Sequence, residues 1–143
     1  MTKDKEIPGL DNARGWYASI VEMVEALEKA DFDAIKEGPT ETGDYGDALQ
    51  SIKQRIHESV LSVEVRSGWY LTGSRHTETG PSPEEYRILL STGGPALQIV
   101  GTLSEHGEPE TAALQSQDWG TPWTYLCANQ TLLTFARCFY FGE

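Results

Sequence analysis

Apolar residues recur every three or four positions early in the chain, as they do on one face of an α-helix. This spacing predicts a first helix with a buried face of Trp16, Ile20, Met23, Val24 and Leu27. Glu22, Glu25 and Lys29 fall on the opposite, polar side. Asp11 or Asn12 is the predicted cap, because a short acceptor side chain satisfies free amides of the first turn.

A second helix is predicted after the Gly- and Pro-containing loop at residues 38–43. Asp44 is its expected cap, and the helix is expected to end near Glu58. Its inner face is predicted to consist of Ala48, Leu49, Ile52 and Ile56.

The pattern changes to strict alternation after Ser59, which predicts a half-buried strand over residues 61–66. Further strands are predicted at 86–90, 96–103 and 110–117, with an exposed loop at 71–83 and a hairpin at 104–109. The β-branched and aromatic residues of 131–141 favour a fifth strand, and a terminal helix is the alternative.

Helices followed by strands with short connections indicate an α+β fold. We expect two N-terminal amphipathic helices packed on an antiparallel sheet of about four to five strands. The length of 143 residues suits a single domain over 1–143, and we expect residues 1–10 to form a flexible N-terminus.

The composition narrows the class of partner. The formal net charge is -11, so direct binding to nucleic acid or to an anionic membrane is not expected. A hydrophobic content of 38% is too high for a disordered acidic tail. No apolar run has the length of a membrane span, and the first ten residues lack the apolar core of a signal peptide. A cytoplasmic location is the expectation.

Motifs for catalysis, metal binding or cofactor binding are not recognised. Cys127 and Cys138 stand in apolar surroundings, where a thiol behaves as a small apolar side chain. The three histidines are far apart and lack the spacing of zinc ligands. We therefore expect no catalytic residue, no metal and no cofactor.

The segment Gln117–Trp123 places two tryptophans around a Gly-Thr-Pro turn. Two interpretations are open: the tryptophans form a platform on which a sugar or base stacks, or they pack over the end of a small hydrophobic core. Arg66 and Arg137 lie near aromatic residues, and Glu64 or Asp118 is the expected acidic partner.

Acidic residues are concentrated in two zones. Residues 22–47 contain nine Asp or Glu against two Lys, and residues 102–118 contain no Lys or Arg. Carboxylates three or four residues apart form a row along a helix, as Glu22, Glu25 and Glu28 are expected to do. Asp31, Asp33 and Glu37 are expected to extend this row into the following loop. The predicted partner-binding residues are Glu22, Glu25, Glu28, Asp31, Asp33 and Glu37 in the first zone and Glu105, Glu108 and Glu110 in the second.

Four segments carry a resemblance: Arg66–Trp69, Leu90–Ala96, Gln117–Trp123 and Ala136–Glu143. The chain from about Gly15 onward resembles short, largely uncharacterised proteins of phages, plasmids and integrative elements. No catalytic role comes with the resemblance, so no functional residue is transferred. Small acidic proteins of such elements are often inhibitors of host defence, including anti-CRISPR and anti-restriction proteins, and this setting agrees with the charge pattern.

These observations favour a non-catalytic, anti-CRISPR-like inhibitor that binds the basic surface of a protein or ribonucleoprotein such as a CRISPR effector complex. Two alternatives stay open. One is an immunity or antitoxin protein that neutralises a basic nuclease toxin, and the other is a small enzyme with a carboxylate and tryptophan site. If the chain forms a homodimer, an apolar patch of the aromatic C-terminal segment is the expected interface.

Overall fold

The computed structural model describes residues 9–37, 47–69, 83–92, 95–118 and 122–141. In chain order, the elements are α1 (Leu10–Glu37), α2 (Asp47–Glu58), β1 (Ser62–Arg66), β2 (Glu85–Ser91), β3 (Ala96–Thr102), β4 (Ala113–Gln117), β5 (Thr124–Ala128) and α3 (Gln130–Ala136).

The strands of the described residues form one five-stranded sheet in the order β1-β2-β3-β4-β5. Every neighbouring pair is antiparallel. The sheet is therefore a meander in which each strand lies beside the next one along the chain. The predicted α+β class is confirmed.

One face of the sheet, here called the inner face, carries the core. Ile88 of β2 lies opposite Ile99 of β3, which in turn lies opposite Leu114 of β4. These three side chains belong to one buried cluster with Ile20 of α1 and Phe135 of α3. α1 also packs directly against α2 and α3. The helices therefore cover the inner face.

The first helix has the predicted buried face but begins earlier than expected. Ile20, Met23 and Val24 are buried. The predicted caps Asp11 and Asn12 lie inside the first turn, so that expectation was wrong. The Ala13 amide donates to the Gly9 carbonyl at 2.9 Å, and Gly9 has a φ of 71°. This glycine adopts the left-handed backbone conformation that directs the chain into the helix.

The second helix ends at Glu58, as predicted. Leu49 and Ile56 are buried, whereas Ala48 is exposed and does not belong to the inner face. Its small methyl group fits either environment, so the pattern does not decide its place. The predicted cap Asp44 lies outside the described residues.

The first strand is present, but its predicted half-burial was wrong. Four of its five residues are exposed, including Val63 and Val65. Both valines lie on the inner-face side, opposite Ile88 and Tyr86. The strand is the edge of the sheet, and an edge is less completely covered by the helix layer than the central strands.

The strand predicted over 131–141 was also wrong, and the alternative helix is correct for its first part. The fifth strand lies earlier, at Thr124–Ala128, and α3 follows it directly. Asn129 caps α3, since its Oδ1 accepts from the Leu132 amide at 3.0 Å. Burial of Leu132, Phe135 and Ala136 at helical spacing outweighs the β propensity of Thr131, Thr134 and Phe135.

The aromatic C-terminal segment does not form the expected apolar patch. Phe135 and Phe141 are buried, and the Phe141 ring lies 4.8 Å from the Tyr86 ring, measured between centroids. Tyr140 is exposed. The exposed apolar side chains of the described residues lie mainly on α1 and near β1 instead.

Replacing Phe135 by alanine is expected to lower the free energy of unfolding by about 3–5 kcal/mol, because the ring is fully buried. Phe32→Ala is the matched control, since this ring is 67% exposed, and a loss below about 1 kcal/mol is expected. Urea unfolding followed by circular dichroism measures both. Equal losses in the two variants would contradict the assignment of Phe135 to the core.

Candidate interaction surfaces

The first acidic zone begins along a helix, as predicted, but Asp31, Asp33 and Glu37, which were expected in the following loop, also belong to α1. α1 has 28 residues, which corresponds to a length of about 42 Å. Glu22, Glu25, Glu28 and Asp31 are exposed on it, and Asp33 is partly buried. Glu37 is the last residue of the helix. The structure therefore places the predicted residues of this zone on one element.

Two of these carboxylates have basic partners. Arg55 of α2 lies 3.3 Å from Glu22, and Lys29 lies 3.2 Å from Asp33 within the same helix. Both ion pairs are exposed, and such pairs contribute little to stability. Within the described part of the chain, no basic group pairs with Glu25, Glu28 or Asp31. The uncompensated charge is thus centred on residues 25–31.

Two large apolar side chains stand beside this charge. Phe32 is 67% exposed and Ile35 is 70% exposed. Each lies four residues after one of the carboxylates Glu28 and Asp31, the spacing of neighbours on a helix surface. Sequence reasoning missed both. Their spacing of three residues was the available signal, but the same spacing also describes a buried helical face.

The second acidic zone lies in the hairpin between β3 and β4, where Glu105, Glu108 and Glu110 are all exposed. The Ser104 hydroxyl accepts from the amides of His106 at 3.2 Å and Glu108 at 3.3 Å. Gly107 closes the turn with a φ of 80°, a conformation that favours glycine. The hairpin is therefore held by its own hydrogen bonds.

The two acidic zones belong to different elements of the fold, the first to helix α1 and the second to the hairpin between β3 and β4. Gly9, at the start of α1, lies against Pro95 and Ser116, at the start of β3 and near the end of β4. The hairpin is at the other end of these two strands. The first zone belongs to the helix layer and the second to an end of the sheet.

The face of the sheet that points away from the helices, here called the outer face, contains an open groove of about 560 Å³. Two exposed ion pairs cross from β1 to β2 in it: Glu64 with Arg87, whose Nη2 lies 2.6 Å from Oε1, and Arg66 with Glu85. Trp123 lines the same groove. Its walls therefore combine these charged side chains with apolar and aromatic ones, including Val100.

A pair of glutamines forms part of this groove. Gln98 is only 4% exposed, and its Nε2 donates to Gln115 Oε1 at 2.7 Å. Gln98 Oε1 is buried and has no hydrogen-bond partner among the described residues. A buried acceptor without a partner is energetically unfavourable. Sequence reasoning missed this pair, because an alternating strand pattern predicts solvent on the polar face.

The tryptophan turn is only partly within the described chain. Residues 119–121 lie outside it, so the predicted choice between platform and core concerns Trp123 alone. Trp123 is partly buried and lines the groove. The expected partner of Arg66, Glu64 or Asp118, was wrong, because Arg66 forms an ion pair with Glu85. Arg137 Nε donates to the Pro109 carbonyl at 3.1 Å. Cross-strand register decides the partner of Arg66.

Both cysteines are free. Burial raises the pKa of the Cys138 thiol, an effect that Lys53 partly opposes, and burial also raises the pKa of Cys127. Cys138 Sγ donates to the Thr134 carbonyl at 3.4 Å. An activated cysteine nucleophile has a lowered pKa, so these shifts run in the opposite direction. No group of three potential metal ligands occurs among the described residues.

No known protein family, curated protein or solved structure is significantly similar to this chain. None of the helices in the described ranges has the length and apolar character needed to cross a membrane.

Cys138 is expected to be alkylated by iodoacetamide with a pH midpoint above the ordinary thiol value of about 8.5, because burial disfavours the thiolate. The contribution of this thiol to folding stability is expected to be fully present below the pKa that the thiol has in the unfolded chain. It is expected to be lost as the pH rises through the higher pKa that the thiol has in the folded chain. Peptide-level mass spectrometry of native and denatured chains measures the midpoint. A native midpoint below the denatured one would contradict the shift.

Gln115→Leu is expected to lower the free energy of unfolding by about 1–3 kcal/mol, because the Gln98 amide loses its partner while buried. The double variant Gln98→Leu/Gln115→Leu removes both polar groups and is expected to be more stable than the single variant. Urea unfolding compares them. A double variant less stable than Gln115→Leu would contradict the interpretation that the single variant is destabilised by a buried Gln98 amide without a hydrogen-bond partner.

Proposed function

We propose that this protein is a non-catalytic inhibitor that binds a basic protein surface through the second half of α1. The observation that carries the proposal is the cluster of Glu25, Glu28 and Asp31, which have no ion-pair partner within the described residues, beside the exposed Phe32 and Ile35. Carboxylates of this kind attract a basic partner and orient it during encounter. The two apolar side chains supply area that is removed from water on contact.

The combination of carboxylates with exposed apolar side chains supports a binding role more strongly than the acidic charge alone. An acidic surface that serves only solubility does not require large apolar side chains among its carboxylates. Apolar anchors surrounded by charged residues are typical of binding surfaces, in which a buried centre has a polar rim. The hairpin carboxylates Glu105, Glu108 and Glu110 form a second acidic contact in this proposal.

A basic surface that holds nucleic acid is the proposed target, since Lys and Arg are concentrated where phosphates bind. The resemblance to small proteins of mobile elements supports a host-defence complex as the target that carries this basic surface. An anti-CRISPR-like inhibitor of a CRISPR effector complex in the host cytoplasm is therefore the function that we propose. A basic nuclease toxin presents similar chemistry, so an immunity or antitoxin role is the competing outcome.

Identification of the partner tests this choice. The full chain is used as bait in a host lysate at low and high salt, and the retained protein is identified by mass spectrometry. A CRISPR effector retained at low salt and released at high salt would support the inhibitor. A single nuclease toxin would favour the immunity role, and retention that is independent of salt would contradict docking by charge.

The variant Glu25→Lys/Glu28→Lys/Asp31→Lys is expected to weaken binding to the identified partner at least about tenfold, because three attractive contacts become repulsive. Asp11→Lys/Glu58→Lys/Glu84→Lys is the matched control on other exposed positions. Each substitution adds two positive charges, so both variants have a net charge of -5 instead of -11. Isothermal titration calorimetry measures the affinities.

Equal weakening by the two triple variants would mean that net charge alone governs binding, and would contradict the α1 surface. Unchanged affinity in the α1 variant would contradict it as well. Circular dichroism confirms that each variant is folded, which we expect because all six side chains are exposed.

A further inference from the structure

The outer edge of β1 is available for pairing. Among the described residues, its neighbour in the sheet is β2 alone, and Val63, Glu64, Val65 and Arg66 are all exposed. A strand of this kind presents backbone amides and carbonyls that have no partner within the sheet. Such an edge accepts a further strand through regular backbone hydrogen bonds.

The side chains of β1 differ between the two faces of the sheet. Val63 and Val65 lie on the inner-face side and are 37% and 44% exposed. Glu64 and Arg66 lie on the outer face, opposite Arg87 and Glu85 of β2. The strand has one acidic and one basic residue, so it is locally neutral in a chain with a net charge of -11. Self-association through this edge therefore avoids the acidic zones.

We propose that β1 pairs antiparallel with β1 of a second copy of this chain, with the two-fold axis through Val65. The two meanders then form one continuous sheet, and a two-fold axis perpendicular to the sheet keeps both helix layers on the same side. This interface is separate from the acidic α1 surface, so it does not depend on the proposed inhibitory function.

The charges of the strand select this register. In an antiparallel pair, two residues that lie directly opposite each other point to the same face of the sheet. A two-fold axis perpendicular to the sheet must therefore pass between a residue and its own copy, and not between two successive positions of the strand. An axis through Glu64 would oppose Glu64 to its own copy, and an axis through Arg66 would do the same for Arg66. With the axis through Val65, Glu64 of each copy lies opposite Arg66 of the other. Unlike charges directly opposite stabilise an antiparallel pair, whereas like charges destabilise it.

The ion pairs already present on the outer face extend this arrangement. Glu64 pairs with Arg87, and Arg66 pairs with Glu85 within one copy. Across the interface, the order becomes Arg87 and Glu64 of one copy, followed by Arg66 and Glu85 of the second. The charges along each of these two cross-strand rows therefore alternate in sign over four strands.

The same register also aligns exposed apolar residues. Leu61 is 58% exposed and Trp69 is fully exposed, and they lie four positions before and after Val65. Leu61 of one copy is therefore level with Trp69 of the other. The opposite edge strand, β5, contains no charged residue, so charge does not favour any register there.

Sedimentation velocity over a wide concentration range tests the proposal on the full chain. The unmodified chain is expected to be a reversible dimer. Glu64→Arg and Arg66→Glu are each expected to weaken the dimer at least about tenfold, because each places like charges opposite one another twice. An equal mixture of the two variants is expected to restore association, since both charge pairs across the interface of the mixed dimer are then of unlike sign.

A chain that stays monomeric at all concentrations would overturn the proposal. So would a dimer that neither substitution weakens, or a mixture of the folded variants that associates no better than each alone. Both side chains are exposed, and circular dichroism checks that the variants are folded.

Crosslinking provides a test that does not depend on charge. A cysteine at Val65 would face its own copy at about 5 Å, whereas one at Val63 would be separated from its copy by four strand positions, or about 13 Å. A thiol crosslinker with a reach below about 10 Å is expected to join Val65→Cys chains and not Val63→Cys chains. The unmodified chain measures the background from Cys127 and Cys138. Equal crosslinking of the two variants would exclude this register.

Discussion

Burial of the inner face of the sheet beneath the helices is the interaction on which the rest of the structure depends. Ile88, Ile99 and Leu114 lie side by side on three central strands, and Ile20 and Phe135 join the same buried cluster. Each fully buried side chain of this kind contributes about 1.5–3 kcal/mol relative to exposure. These contacts hold α1 and α3 to the meander and thereby set the positions of every surface considered for binding.

One-sided burial has consequences for the opposite face and for the edge. The outer face carries polar cross-strand pairs and an open groove, in which the ion pairs and the Gln98–Gln115 amides lie. At β1, the valines point to the inner-face side but remain partly exposed. β1 therefore retains exposed apolar area at an edge that has no further strand partner among the described residues.

The length of α1 creates a second kind of surface. The buried side chains described on it lie within its first 15 residues, up to Val24, whereas Phe32 and Ile35 are exposed beyond them. Glu25, Glu28 and Asp31, which have no ion-pair partner in the part of the chain that the structure describes, lie in the same part of the helix. Because α1 continues beyond its own core contacts, it presents charge and apolar area side by side.

Local patterns alone were sufficient for several features of this protein. The spacing of Ile20, Met23 and Val24 predicted the buried face of α1, and the distribution of strand-forming and turn residues predicted β2, β3 and the hairpin between β3 and β4. These features depend on neighbours within a few positions of the chain. Seven of the nine predicted acidic residues lie at exposed positions, since carboxylates outside a core remain hydrated: Glu22, Glu25, Glu28, Asp31, Glu105, Glu108 and Glu110.

Other features were decided only by the tertiary structure. The valines of β1 have the alternation of a half-buried strand, yet their exposure depends on how far the helix layer extends. The β-rich composition of residues 131–136 gave way to a helix, because the Asn129 cap and burial of Phe135 outweigh propensity. The partners of Glu22, Arg66 and Gln98 depend on strand register and helix packing, which bring together residues distant in the chain. A sequence pattern shows which residues are apolar or charged, whereas packing determines what each of them contacts.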